Sequence, residues 1–383
     1  MVEMASPPPQ SVCVTGAGGY IASWLVKLLL SRGYAVHATV RDPSDPKNAH
    51  LRRLDGAPDR LLLFKADVLD RDALAAAVAG CEGVFHVASP VPADKVIDPE
   101  ESIAEVLAPA VKGTVNVLEA CSANNVQNVV VVSSTAAVQF NPSWPQDRIK
   151  DESCWSDKDF CLKNEDWYSA SKTIAEETAL EYGDKNGVIV VTVCPCVVLG
   201  PLLQPVVNTT SELLIYIIKG GPSVMKNLPW SLVDVRDVAD ALLLVYEKVE
   251  SSGRYICAPN RISTKDIVNL LKKAYPTYNY VNWDDTDYES VVTPVTSEKL
   301  KNLGWKPRKI EETLLDSTEH YEKAGLLQDL DGCPLNNPYG KLSYELNTSK
   351  LQALGIKFRG VHEVFDDAVK SLKDQGHLLE YPL

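Results

Sequence analysis

The chain lacks the features that mark a membrane or a secreted protein. None of its apolar runs reaches the roughly 18 to 20 residues that a membrane-spanning helix needs. Its first residues, MVEMASPPPQ, carry a glutamate and three prolines, whereas a secretory signal would have positive charge followed by an apolar stretch. We therefore expect residues 1–10 to be a disordered lead-in and the protein to be cytoplasmic.

Clusters of basic residues and of metal ligands are also missing. The chain has 38 Lys and Arg against 51 Asp and Glu, a net charge of −13, and no dense basic run that would attract nucleic acid phosphates. Its 9 cysteines show no metal-ligand spacing, so we expect reduced, buried thiols and no bound metal. The expected partner is a small molecule, with no nucleic acid and no membrane, and the oligomeric state stays open.

What the sequence does contain is a regular alternation of strands and helices. From Ser11 onward, apolar runs such as SVCVTG, AVHATVR, GVFHVAS and NVVVVSS alternate with helical patterns such as SWLVKLLLSRG. Nearly continuous apolar strands separated by helices predict a parallel sheet that is covered on both faces. The predicted fold class is therefore α/β, a doubly wound parallel sheet of the Rossmann type with a smaller C-terminal substrate lobe.

The loosening of this pattern after Pro201 sets the predicted domain boundaries. The cofactor-binding sheet should occupy 11–200, with a later contribution from about 230–250. The substrate lobe should follow over 201–330, and residues 331–383 should form a linker and a duplicated C-terminal element.

The duplication is visible as a shift of 51 residues. Lys299–Leu327 and Lys350–Leu378 are identical at ten of 29 aligned positions. We interpret each copy as a short helix, a basic turn and a longer helix, and the role of the second copy stays open. Two copies are too few for a solenoid.

A glycine-rich loop follows the first predicted strand, in VTGAGGYIASW. Gly16, Gly19 and Ala22 are small residues at three spaced positions, which allow a tight turn and a close approach of the backbone to a pyrophosphate at the start of a helix. The alternative, a purely structural turn, is disfavoured by the strand that precedes the loop. The predicted dinucleotide contacts in this loop are Gly16, Gly18, Gly19, Tyr20 and Ile21.

The end of the second strand indicates which dinucleotide is bound. NAD-dependent sheets normally carry an acid there for the ribose hydroxyls, but this chain has Arg41, with Lys47 following. Two cations suit the additional 2′-phosphate of NADP, so we predict NADPH/NADP as the cofactor, the alternative being ordinary solvated loop charges. The following strand ends should line the same cofactor with Asp67, Val68, Val87, Ala88 and Ser89.

Three polar residues are predicted to meet at the carboxyl edge of this sheet. The strand NVVVVSS ends in Ser133 and Ser134, and a later helix begins with NEDWYSASK, in which Tyr168 and Lys172 share one face. Ligands of doubly wound sheets bind at that edge, so Ser134, Tyr168 and Lys172 can converge although they are distant in sequence.

With these motifs the chain resembles the extended short-chain dehydrogenase/reductase superfamily. The stretches RDPSDPKNAHLRRL, DESCWSDKDFC and VVLGPLLQPVVN are similar to those of plant cinnamoyl-CoA reductases and their relatives, which include dihydroflavonol and phenylacetaldehyde reductases. The resemblance runs from about Ser11 to Leu327. It implies a phenylpropanoid substrate, of the kind used in lignin biosynthesis.

The resemblance also implies roles for individual residues. Tyr168 would donate a proton to the alkoxide that hydride transfer creates, and Lys172 would lower the pKa of that phenol and bond the nicotinamide ribose. Ser134 would hold the carbonyl oxygen. The nicotinamide end of the cofactor would be lined by Pro195, Val198 and Thr210.

The substrate is less well defined because the chain departs from the thioester reductases. Ser169 replaces a cysteine that can pair with the equivalent of Cys161 in cinnamoyl-CoA reductases. Leu213 and Tyr216 align with a histidine and a lysine that meet the CoA thioester in that group, whereas Arg254 persists. A free aldehyde or ketone is therefore as acceptable as a thioester.

The sequence thus predicts an NADPH-dependent reductase of a phenylpropanoid-type carbonyl, with a dihydroflavonol or an aromatic aldehyde as alternative substrates. A hypothesis from another class is a catalytically silent NADP-binding regulatory or scaffold protein. The complete set Ser134, Tyr168 and Lys172 favours the enzyme.

Overall fold

The computed structural model describes residues 10–89, 106–220, 224–284 and 293–328. The lead-in before Gln10 and the second copy of the duplicated element lie outside the described residues.

The described strands are mostly short and strongly buried. They are β1 Ser11–Val14, β2 Ala35–Val40, β3 Leu61–Lys65, β4 Gly83–His86, β5 Asn128–Val132, β6 Ile189–Pro195, β7 Val197–Leu199, β8 Pro229–Asp234, β9 Gly253–Cys257 and β10 Asn260–Ser263.

The described helices alternate with these strands as the sequence predicts. They are α1 Tyr20–Ser31, α2 Ala57–Arg60, α3 Arg71–Val78, α4 Ala108–Ala123, α5 Ala136–Gln139, α6 Lys158–Lys163, α7 Trp167–Asn186, α8 Thr209–Lys219, α9 Val235–Glu247, α10 Thr264–Ala274, α11 Glu298–Asn302 and α12 Ile310–Lys323.

Within the described ranges, seven strands form one parallel sheet in the order β3-β2-β1-β4-β5-β6-β9. The chain order reverses between β1 and β4, so this is the point of a doubly wound sheet at which a crevice opens. The predicted α/β doubly wound class is confirmed. The seventh strand, β9, follows the 230–250 segment that was expected to contribute to the sheet. The sheet therefore includes a strand from later in the chain than predicted.

The sheet is covered on both faces because alternate residues of each strand point in opposite directions. Val12 and Val14 pack into the core that α1 and α9 share, whereas Cys13 faces the core of α3, α4 and α7. All three side chains are fully buried. This explains why the central strands have no polar face.

A smaller lobe is attached to the sheet through a continuous core. Three strands in the order β10-β8-β7 form its sheet, and α8, α10 and α12 pack around it. Leu214, Leu232 and Ile267 of this lobe belong to the same buried cluster as the β1 valines.

The first copy of the duplicated element is part of this core. Leu300 of α11 and Leu314 and Tyr321 of α12 are fully buried. Trp305, in the turn between the two helices, is 4% exposed and donates its indole N–H to the Asp237 carbonyl at 2.9 Å. The second copy lies outside the described residues, and its role stays open.

No helix in the part of the chain that the structure describes is long and apolar enough to cross a membrane.

Trp305 provides a test of how strongly the first copy is anchored. Trp305→Ala leaves a cavity and an unpaired Asp237 carbonyl, so we expect the free energy of unfolding to fall by about 3–5 kcal/mol. The exposed neighbour Lys306→Ala should change it by less than about 0.5 kcal/mol. Urea unfolding followed by circular dichroism measures both variants. A loss below about 1 kcal/mol for Trp305→Ala would contradict this packing.

Candidate active site

The glycine loop between β1 and α1 has a backbone that only glycine accommodates well. Gly16 has φ +65°, in the left-handed region, and its N–H donates to the Thr39 hydroxyl at 3.2 Å. A Cβ added to Gly16 would lie 2.9 Å from the Cβ of Ala88. The backbone of the glycine loop is therefore in close contact with the residues that follow β4.

The helix that follows this loop offers free N–H groups. Helix α1 begins at Tyr20, its N-cap is Gly19, and no side chain among the described residues caps it. The first-turn N–H groups of a helix lack partners within the helix and carry its positive end. A pyrophosphate fits this position, while the Tyr20 hydroxyl is already donated to the Gly200 carbonyl at 2.9 Å.

The segment after β2 packs directly on the glycine loop. A Cβ at Gly18 would collide with Oδ1 of Asn48, a buried side chain whose amide donates to the Asp42 carbonyl at 2.8 Å. Arg41 and Lys47 flank this contact on the exposed surface, and Lys47 forms an ion pair with Asp45 at 2.8 Å. The two predicted phosphate-binding cations are thus accessible and lie on the segment that contacts the loop.

The sequence reasoning missed a buried hydrogen-bond chain behind this loop. The Thr15 hydroxyl accepts from the N–H groups of Val87 and Ala88, each at 3.1 Å, and lies 2.9 Å from Nδ1 of His86. Nε2 of His86 lies 3.2 Å from the Thr114 hydroxyl, which donates to a carbonyl of α4. Burial lowers the pKa of His86 to about 3, with the Lys172 charge adding to the effect. A neutral histidine therefore fixes the turn after β4.

The positions predicted for the adenine end are more exposed. Asp67 lies on the surface after β3 and accepts from the Leu69 N–H at 2.9 Å. The Val68 carbonyl accepts from Asn116 at 2.9 Å. Ile21, predicted as a contact of the glycine loop, is half-buried and packs against the main core. Their contacts with a cofactor stay predictions.

Strand β5 and helix α7 bring Ser134, Tyr168 and Lys172 together. Helix α7 begins at Trp167 because Asp166 caps it, accepting from the Ser169 N–H at 3.0 Å. This places Tyr168 in the first turn, with Lys172 one turn later on the same face. The Lys172 ammonium lies 5.9 Å from the centre of the Tyr168 ring. Ser134 and Tyr168 are partly exposed, whereas Lys172 is buried.

Burial dominates the electrostatics of this group. The pKa of Tyr168 is raised, because burial disfavours the phenolate more than the interaction with Ser134 favours it. Burial also lowers the pKa of Lys172 to about 8, against the opposing effects of Cys194 and Glu176. Without the cofactor the pKa of the phenol is thus shifted upward, and the lowering of that pKa by Lys172 stays a prediction.

One of the residues expected at the nicotinamide end, Pro195, lies beside this group, whereas the contacts of Val198 and Thr210 with a cofactor stay predictions. The Pro195 carbonyl at the end of β6 accepts from the Thr135 N–H at 3.0 Å, so it adjoins Ser134. The Thr210 hydroxyl donates to the Val198 carbonyl at 2.5 Å. Ser89 lines a small cavity together with Lys172 and Glu176.

Three of the four positions predicted to contact substrate are buried in the protein. Leu213 and Tyr216 are 8% and 6% exposed and belong to the core of the smaller lobe. Arg254 is 5% exposed, and all five of its N–H donors face acceptors of the protein itself. This geometry corrects the expectation that Arg254 meets the substrate, since its guanidinium is already fully engaged.

Glu176 is the second feature that the sequence reasoning missed. It follows Lys172 by one helical turn, and its carboxylate is buried among Ser133, Thr192, Cys194 and Arg254. A glutamate four residues after a lysine indicates a surface ion pair in sequence, and nothing local distinguishes Glu176 from the partly exposed Glu177.

Comparison with known families and proteins agrees with this geometry. Residues 12–258 match the model of the NAD dependent epimerase/dehydratase family. Cinnamoyl-CoA reductase 1 of Arabidopsis thaliana is 43% identical to the chain over 328 residues, which are 85% of this chain and 93% of that protein.

Two solved reductase structures share the fold. Vestitone reductase from alfalfa superposes with a TM-score of 0.71 at 31% identity, over 82% of this chain and 99% of that one. Yeast methylglyoxal/isovaleraldehyde reductase Gre2, complexed with NADPH, gives a TM-score of 0.72 at 26% identity, over 83% of this chain and 100% of that one.

Gly16 and Gly33 allow a matched test of the glycine loop. Both have positive φ, so alanine at either position costs roughly 1–2 kcal/mol of backbone strain. Only at Gly16 would the new methyl group also collide with Ala88, whereas Gly33 has open space around it. We expect Gly16→Ala to weaken NADPH binding by about tenfold or more and Gly33→Ala to preserve it. Fluorescence titration with NADPH measures both affinities, and equal affinities would refute the role of the loop.

Proposed function

The chain belongs to the NAD dependent epimerase/dehydratase family, and we propose that it is an NADPH-dependent reductase of a phenylpropanoid-type carbonyl. The observation that carries this proposal is the meeting of Ser134, Tyr168 and Lys172 at the sheet edge that also holds the glycine loop. Relatives that match more than four fifths of the chain are reductases.

The residues at this edge fit NADPH. Gly16 and Gly18 have no room for a side chain, because a Cβ there would collide with Ala88 and Asn48, so the loop backbone stays bare. The start of α1 provides N–H groups for the pyrophosphate. Arg41 and Lys47 would hold the 2′-phosphate from the exposed segment after β2. When bound, the cofactor supplies the hydride.

The protein's own part in the reaction is to place the carbonyl and to provide a proton. The Ser134 hydroxyl would donate to the carbonyl oxygen, and the Tyr168 phenol would transfer its proton to that oxygen as the carbonyl carbon is reduced. A raised pKa keeps Tyr168 protonated at neutral pH, which is the form that a proton donor needs. The Lys172 ammonium would stabilise the phenolate that remains.

This division of roles gives the reduction a defined pH dependence. Lys172 must be charged to stabilise the phenolate, and its pKa lies at about 8. Turnover in the reducing direction should therefore be highest below this pH and decline as the lysine loses its proton above it.

The pattern of buried residues favours a free aldehyde or ketone over a thioester. Leu213 and Tyr216 are core residues, and Arg254 is engaged by the protein, so the positions aligned with a CoA site offer no accessible cation. Similarity to cinnamoyl-CoA reductases supports an aromatic acyl or aldehyde group as the part recognised. We further propose a cytosolic location, in line with the eight free cysteines of the described residues.

The choice of cofactor can be tested at Arg41. Arg41→Ala removes one charge-assisted contact to the 2′-phosphate, so we expect NADPH binding to weaken by about tenfold or more. NADH, which lacks that phosphate, should bind the variant and the wild type equally, and Arg52→Ala should leave both affinities unchanged. Calorimetric titration with each cofactor measures these values. An equal loss for NADH would show that Arg41 does not read the phosphate.

The reaction is tested with Tyr168→Phe, which removes only the phenolic hydroxyl. We expect turnover to fall by about 10²- to 10⁴-fold, because the proton donor is lost while the ring remains. Tyr182→Phe, on the same helix with its hydroxyl 2.9 Å from Ser122, is the matched control and should keep wild-type turnover.

NADPH oxidation should be followed with hydroxycinnamoyl-CoA esters, hydroxycinnamaldehydes and dihydroflavonols. Turnover of one class would assign the substrate. If the wild type binds NADPH but turns over none of the three, the protein is a silent NADP-binding protein and the proposal fails.

A further inference from the structure

Glu176 and Arg254 form a buried ion pair directly behind the predicted reaction centre. The Arg254 Nε donates to Glu176 Oε1 at 2.8 Å, and both side chains are almost fully excluded from water. A buried charge pair of this kind contributes little net stability compared with apolar residues of the same size. Its presence beside Lys172 therefore calls for a functional reason.

The Glu176 carboxylate joins the elements that carry the predicted site. It accepts from the Ser133 hydroxyl at 2.6 Å, and Ser133 is the immediate neighbour of Ser134 at the end of β5. It also accepts from the Thr192 hydroxyl on β6 at 2.6 Å. Because Glu176 lies on α7, these bonds fix the helix that bears Tyr168 relative to the strand that precedes Ser134.

Arg254 on β9 extends this connection to the loops around the site. It donates to the carbonyls of Cys154 and Glu152 at 2.7 and 3.2 Å, and to the Ala137 carbonyl at 3.1 Å. Its guanidinium carbon lies 3.4 Å above the ring centre of Trp155. The segment just after Ser134 and the 152–155 loop are thus held by the same side chain.

Resting on the proposed function, we propose that the Glu176–Arg254 pair positions the Tyr168 and Lys172 face of α7 against Ser134 and holds the Lys172 ammonium in place. Glu176 and Lys172 share one helical face and line the same small cavity. Glu176 is then a positioning residue, since it acts through Lys172 and Ser133.

The charges around Lys172 support this assignment. Tyr168 and Glu176 lie on its own helix, His86 faces it from β4, and Cys194 faces it from β6. Of these, Glu176 carries the negative charge that is paired with Arg254. The carboxylate raises the pKa of Lys172, opposing the larger decrease that burial causes. Removing it should therefore make Lys172 lose its proton at a lower pH.

The test compares Glu176→Gln with Glu177→Gln. The control is the next residue on the same helix, a partly exposed glutamate that pairs with Lys158 at 2.6 Å. We expect Glu176→Gln to lower kcat by about 10- to 100-fold through misplacement, and to move the alkaline limb of the pH profile to lower pH. Glu177→Gln should change neither, and Glu176→Asp, which keeps the charge, should restore the position of the limb.

A second readout does not depend on activity. In cofactor-free protein with ¹³C-labelled lysine, the ¹³Cε resonance that disappears in Lys172→Arg reports the titration of Lys172. We expect its midpoint to fall in Glu176→Gln and to stay unchanged in Glu177→Gln. If the wild type turns over substrate but Glu176→Gln shifts neither the Lys172 midpoint nor the alkaline limb of the pH profile, the proposal is overturned. A shifted midpoint in a protein without turnover would support the positioning role and refute only the reductase function.

Thermal melting shows whether the variants fold. If Glu176→Gln unfolds the protein by leaving Arg254 unpaired, the double variant Glu176→Gln with Arg254→Met is measured in place of the single variant. The double variant removes both buried charges. The double variant should fold and show the same shift of the Lys172 titration. Unfolding of both would assign the pair to stability alone and overturn the proposal.

Discussion

Parallel pairing of β1, β4, β5 and β6 forces the carboxyl ends of these strands onto one edge of the sheet. Because the chain order reverses between β1 and β4, that edge opens into a crevice. The glycine loop after β1, the fixed turn after β4 and the serines after β5 all enter this crevice. The site therefore depends on strand direction before it depends on any single contact.

Burial sets the chemistry of this edge more strongly than neighbouring charge does. It raises the pKa of Tyr168 and lowers that of Lys172, so each is pushed towards its neutral form. The neutral phenol is the form of Tyr168 that donates a proton. The neutral amine of Lys172, by contrast, lacks the positive charge that stabilises the phenolate, and the Glu176 carboxylate favours the charged ammonium. A negative charge so deep in the protein requires partners of its own, and Arg254 with the Ser133 and Thr192 hydroxyls provides them.

Much of this arrangement was readable from local pattern. Apolar strands separated by helices indicated the doubly wound sheet, and glycines after the first strand indicated the loop, because both signals depend on the residues within one element. The positions aligned with a CoA site were harder to judge. Leu213, Tyr216 and Arg254 were assigned by their place in the chain, yet each is buried, since α8 and β9 turn these side chains into the core. The contribution of β9 to the sheet was likewise missed, because its strand follows a region of looser pattern.

The sequence by itself determined the fold class, the dinucleotide loop and the spacing that puts Tyr168 and Lys172 on one helical face. These follow from periodicity and from the steric freedom of glycine, which act over a few residues. Only the tertiary structure decided that His86 bridges Thr15 and Thr114 and that Glu176 is buried against Arg254 while Glu177 faces solvent. The reason is physical: whether a charged or titratable side chain is desolvated depends on which distant strands pack around it, and desolvation sets its protonation state and its partners.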